Sequence, residues 1–106
     1  MAVVHRIRLR GGWRVERRED GSAVFERSFG SPRTLDAGES VWLVCERVQG
    51  SGAVRVNGQT IGDTSAGNAF AGDVTGVLLA RNCVRLELVG VGSKELGEVG
   101  LEFRIK

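Results

Sequence analysis

Apolar residues along the chain recur at every second position, not at every third or fourth. Ile7 and Leu9 alternate with Arg6, Arg8 and Arg10, and Val84, Leu86 and Leu88 with Arg85 and Glu87. Val99, Leu101, Phe103 and Ile105 alternate with Gly100, Glu102, Arg104 and Lys106. Successive side chains of a strand point to opposite faces, so each run predicts a strand with one buried and one wetted face. Val41-Trp42-Leu43-Val44-Cys45 is apolar on both parities before Glu46 and Arg47. That predicts a central strand covered on both sides near its start, with Trp42 in the core.

Turn chemistry separates these runs. Asn57-Gly58 stands between Val54-Arg55-Val56 and Gln59-Thr60-Ile61, a hairpin signal because a type I′ turn needs positive φ at both central positions. Glu19-Asp20-Gly21-Ser22 joins residues 13–18 to residues 23–29 as a second, slightly longer hairpin. Pro32 is assigned to a connecting segment, where its missing N–H costs no ladder bond. The one helical expectation is a short turn within 73–79, capped by Asp73 or Thr75 and kept short by Gly76. Seven to nine short strands must bury their faces against one another, which predicts an all-β, two-sheet antiparallel sandwich forming one domain over residues 1–106.

Composition sharpens this picture. At 106 residues and 42% hydrophobic the chain can bury one core without staples, and fifteen Val against nine Leu favour strands. Its apolar runs are far shorter than a membrane span and its start lacks a leader pattern, so a cytoplasmic protein with no membrane partner is expected. The formal charge of +2 is near balance, although residues 1–35 hold eight Arg against four carboxylates. Arg6, Arg8 and Arg10, with Arg14, Arg17 and Arg18, raise a nucleic-acid reading. The favoured reading is a solvated face balanced by Glu16, Glu19, Asp20 and Glu26 across a hairpin, with no nucleic-acid partner. Cys45 and Cys83 lack metal-ligand spacing and His5 is the single histidine, so reduced, half-buried thiols and no metal or other cofactor are expected.

The signals also follow a known order. Arg27-Ser28-Phe29 precedes Pro32, Leu35 and Val41-Trp42-Leu43. Val54-Arg55-Val56-Asn57-Gly58 with Ile61-Gly62 comes next, then Phe70 with Asp73-Val74-Thr75, and Asn82-Cys83-Val84-Arg85-Leu86. In this order the chain resembles the jelly-roll sugar-binding domain at the N-terminus of family-two glycoside hydrolases, the β-galactosidase and β-glucuronidase group, among the galactose-binding-domain-like sandwiches. In those hydrolases the catalytic carboxylates lie on a separate (β/α)₈ barrel. The resemblance therefore implies a jelly-roll fold and a non-catalytic binding or interaction module, acting on a carbohydrate or on a partner protein. In the galactosidase branch the Asn of the Asn-Gly turn approaches the sugar pocket, and Asn57 matches it.

Candidate chemistry is sparse. Glycosidic hydrolysis needs two carboxylates at a set separation, and Asp63, Asp73, Glu95 and Glu98 are the candidates. Asp73 is read as accepting backbone N–H bonds at a turn, and Glu95 and Glu98 flank a Gly-rich turn, so no pair stands out. There is no Gly-x-Ser-x-Gly, and Gly50-Ser51-Gly52 and Gly90-Val91-Gly92-Ser93 lack the Lys of a phosphate cradle. No enzymatic activity is expected. Sugar recognition rests on aromatic platforms with a few polar groups, and Trp13, after Gly11-Gly12, is either an edge-packing residue or such a platform. Trp13, Asn57 and Asp63 are the candidate ligand-facing residues, with the turn reading favoured for Asn57. The alternative is a structural subunit without a sugar ligand, whose exposed sheet edge makes a homodimer or docks onto a separate enzyme.

Overall fold

The computed structural model describes residues 2–31, 34–91 and 95–105. Pro32 and the Gly92-Ser93 part of the second Gly-rich loop fall outside the described residues. Nine strands follow in order: β1 (Ala2–Arg8), β2 (Arg14–Arg17), β3 (Ala23–Gly30), β4 (Glu39–Glu46), β5 (Ser51–Val56), β6 (Gln59–Thr64), β7 (Phe70–Asp73), β8 (Arg81–Val89) and β9 (Glu98–Ile105). They form a four-stranded sheet, β1-β9-β4-β7, and a five-stranded sheet, β2-β3-β8-β5-β6. Every pairing is antiparallel, so the expected two-sheet sandwich is the observed fold. No helix among the described residues is long and apolar enough to cross a membrane.

The period-two pattern places the core. Val41, Leu43 and Cys45 of β4 and Val84, Leu86 and Leu88 of β8 turn inward around Phe25 and Phe103, all buried in one contiguous cluster. Cys45 is fully buried, where a half-buried thiol was expected, and burial pushes that thiol up to about 12. Cys83 is half-buried on the opposite parity of β8, and both cysteines are free.

Both predicted hairpins form, and in the β5–β6 turn Asn57 (φ 53°) and Gly58 (φ 79°) take the left-handed conformations of the expected two-residue turn. The predicted helical turn is a 3₁₀ turn at Thr75–Val77. Asp73 Oδ1 accepts the Thr75 N–H (2.9 Å) and hydroxyl (2.7 Å), and the Val41 N–H donates to Thr75 Oγ1 (2.9 Å). The acid read as a turn residue is one, and it ties β7 to the start of β4.

Two positions depart from the alternation. Trp42 is not core: its parity faces outward from the four-stranded sheet, where Arg104 lies over its ring (4.4 Å) and its Nε1–H donates to Ser40 Oγ (3.0 Å). A cation over an aromatic face with a satisfied indole N–H makes this half-exposed site tolerable. Strand β1 does not bury one face either; all seven of its residues are exposed, with Ile7 at 37%. Its place at the sheet edge explains this, because no strand of the opposite sheet covers it, and only Leu9 beyond it reaches the core.

Beside Trp42 the outer face holds a buried acid. Glu102 is 4% exposed, with Arg6 Nη2 at 2.5 Å from one carboxylate oxygen and Arg104 Nη2 at 2.9 Å from the other. Burial pushes its carboxyl up, but hydrogen bonds and charge from Arg104 and Arg6 outweigh that and hold it below the ordinary range. Stability contributed by this group is therefore present above the unfolded-state value of about 4.3 and lost as pH falls through the lower folded-state value. Glu102→Gln is expected to be less stable than the parent at neutral pH and to show a shallower loss below about pH 4.3, read by denaturant titration across pH. Parallel acid limbs would contradict the assignment.

Candidate functional site

The two long sides of the sandwich are unlike. On the β6–β7 side Ile61 and Phe70 pack onto the core. Gly62 and Gly72 lie directly against this pair, where a Cβ at Gly62 would come within 2.8 Å of the Phe70 ring. On the other side, at the end of β1 and along β2, the structure leaves a cleft of about 840 Å³.

Residues 9–13, which cross from one sheet to the other, build one wall. Leu9 donates its backbone N–H to the Val99 carbonyl (2.9 Å), and its own carbonyl accepts the Trp13 indole N–H (2.9 Å). Arg27 Nε donates to the Gly11 carbonyl (2.7 Å) and its Nη2 to the Arg10 carbonyl (3.4 Å). Three consecutive carbonyls of the crossing are thus held by side chains. The floor is apolar, made by Trp13, Val15, Leu96 and Val99.

The opposite wall comes from the β4–β5 and β8–β9 connections. Arg47 takes a left-handed backbone (φ 56°), uncommon for a side chain of its size, and its guanidinium meets Glu98 at 2.7 Å. Gly97 (φ 96°) lies so close to Arg47 that a Cβ there would meet the Arg47 carbonyl. The glycine lets the two connections touch. Gln49 and Glu95 add polar groups to the rim.

The three sequence candidates do not converge. Trp13 lines the cleft, half-buried with its N–H engaged. Asp63 is exposed on β6, the far edge of the five-stranded sheet, four strand spacings or about 19 Å from β2. Asn57 is engaged inside the fold: Oδ1 accepts the Cys83 N–H (2.9 Å), and Nδ2 donates to the Val77 carbonyl (2.8 Å) and Asn82 Oδ1 (2.9 Å). Sequence reading missed Arg27, Arg47 and Gln49. Nothing local marks Arg47 for a positive φ, whereas Gly97 just before β9 signals a close approach. Among the described residues no group of three His, Cys, Asp or Glu is placed to hold a metal ion.

No protein-family model and no curated protein matches the chain. Solved structures do match in fold. The β-glucuronidase of Bifidobacterium dentium, complexed with coumarin-3-O-glucuronide, superposes with a TM-score of 0.79 at 16% identity, covering 95% of this chain and 30% of that one. The β-D-glucuronidase of Dictyoglomus thermophilum gives 0.78 at 11% identity, covering 96% and 28%. A β-glycosidase of Bacteroides vulgatus gives 0.61 at 22% identity, covering 78% and 12%. The chain thus has the fold of a β-sandwich domain within such glycosidases and spans less than a third of their length.

The Asn57 geometry yields a direct expectation. Asn57→Ala leaves the Cys83 N–H and the Val77 carbonyl without their partners and places alanine at positive φ, so it should cost about 2–4 kcal/mol. Urea denaturation measures this, and an unchanged midpoint would show that the amide is not structural.

Proposed function

We propose that this domain is a non-catalytic binding module whose cleft between β1 and β2 takes a carbohydrate. The observation behind this reading is the cleft itself, about 840 Å³ in volume and lined by a tryptophan whose indole N–H is fixed by a hydrogen bond. The C–H face of a pyranose is apolar and its hydroxyls are polar. An aromatic side chain on an apolar floor with amide and charged groups at the rim suits both. The fold match to glycosidase domains is compatible with this use.

The non-catalytic part of the reading follows from the carboxylates at the cleft. Hydrolysis by paired carboxylates needs both available to substrate and water. Glu98 is engaged by Arg47 at 2.7 Å, which leaves Glu95 without a second acid. Asp63 and Asn57 lie away from the cleft, so a contact at Asp63 would mean a second site.

A second reading rests on a different observation. Strand β1 is an edge strand with Val3, Val4 and Ile7 exposed, and uncovered edges are templates for pairing. In that case the domain is a structural subunit that associates with itself. A mass that rises with concentration in light scattering favours that reading, and a constant monomer mass removes its homodimer form.

Calorimetric titration with a saccharide panel tests the main reading. Binding at micromolar to millimolar dissociation constants is expected, and Trp13→Ala should weaken it by about tenfold or more while Asp63→Ala leaves it unchanged. Trp13→Phe keeps an aromatic platform and should retain part of the affinity. Silence across the panel, or binding that ignores Trp13, would contradict the proposal.

A further inference from the structure

The arginines at the cleft are not equivalent. Arg47 is paired with Glu98 at 2.7 Å, and Arg17 lies 5.9 Å from the Phe25 ring centroid. Arg6, first of the alternating stripe on β1, is held by Glu102. Arg8 and Arg10 complete that stripe and line the cleft, and among the described residues their guanidinium groups have no hydrogen-bond or ion-pair partner. Arg8 also borders a small hollow with Glu46 and Glu98 without pairing to either.

Elsewhere among the described residues most arginines are engaged, exposed Arg81 at the start of β8 excepted. Across the five-stranded sheet Arg14, Glu26, Arg85, Glu87 and Arg55 run as an unbroken series of opposite charges. Against that background, two unpartnered guanidiniums at the mouth of a cleft stand out. Their backbone is also held: the Arg10 and Gly11 carbonyls bond Arg27, and the Leu9 carbonyl bonds Trp13. Charges presented from a segment already ordered lose less freedom on binding.

We propose that the cleft binds an acidic oligosaccharide, one sugar ring against Trp13 and its carboxylate or sulfate between the guanidinium groups of Arg8 and Arg10. This rests on the carbohydrate reading above and narrows it. A planar guanidinium fork matches the oxygens of an acid group, and each such bond is charge-assisted. Beside the Trp13 ring face, which suits a pyranose, Glu95 at the rim offers carboxylate oxygens that can accept hydrogen bonds from sugar hydroxyls.

The test is calorimetric titration at low salt with four probes of matched length. These are an oligogalacturonate, which carries carboxylates, a heparin-derived oligosaccharide, which also carries sulfates, a neutral galacto-oligosaccharide and a single-stranded oligonucleotide. At least one acidic saccharide should bind about tenfold or more tightly than the neutral one and lose affinity as salt rises. Which acidic probe binds distinguishes carboxylate from sulfate. The double variant Arg8→Gln, Arg10→Gln should lose that advantage, so that acidic and neutral sugars bind alike, with Arg10→Glu as an independent check. Equal binding of neutral and acidic sugars overturns this inference and leaves the carbohydrate reading standing. No saccharide binding overturns both, and an oligonucleotide that binds as tightly as the acidic sugar overturns the saccharide assignment.

Discussion

The crossing from β1 to β2 is held by side chains, not by a strand ladder, and the character of the cleft depends on it. Residues 9–11 present three carbonyls in a row past the last pairing of β1 with β9, and of these residues only Leu9 is buried. The Trp13 indole and the Arg27 guanidinium take these carbonyls. Each thereby does two things at once: Trp13 seals a carbonyl and lines the cleft, and Arg27 clamps the segment from which Arg10 projects. With the β6–β7 side filled by Ile61 and Phe70, the opening falls on the β1–β2 side.

Charge placement divides the surface by task. The outer faces of both sheets are knitted by arginine–carboxylate pairs, from Arg14–Glu26–Arg85 on one to Arg6–Glu102–Arg104 on the other. Exposed pairs of this kind contribute little each, about 0–1 kcal/mol, and their effect is to remove free charge from the faces. Glu102 differs because it is buried, and losing either arginine would leave its charge partly uncompensated. The charges left over at Arg8 and Arg10 lie at the mouth of the cleft.

Much of the fold was legible in the residues because its signals are local. Period two at residues 84–88 and 99–103 placed inward residues correctly, whereas Ile105 at the end of β9 is exposed, and Asn57-Gly58 marked a turn that the backbone confirms. Trp42 and β1 were misjudged for one shared reason. Alternation tells which residues share a face, but not whether another sheet lies over that face. Trp42 shares its row with Glu102, and only the pairing of β4 with β9 reveals that Arg104 is there to cover it. The cleft was half legible: Trp13 and the Arg6-Arg8-Arg10 stripe were visible, whereas Arg27, Arg47 and Gln49 join them through contacts between residues far apart in the chain. Asn57 shows the reverse case, a residue suggested by resemblance whose amide is engaged within the fold on all sides.

The central claim is that ligand enters between β1 and β2, and backbone and indole amide NMR shifts during titration with an acidic oligosaccharide test it most directly. The account predicts saturable changes at the Trp13 indole N–H and at residues 8–13, 47–49 and 95–99, with the Trp42 indole unmoved. Changes centred on residues 57–63, or none along residues 8–13, would contradict it.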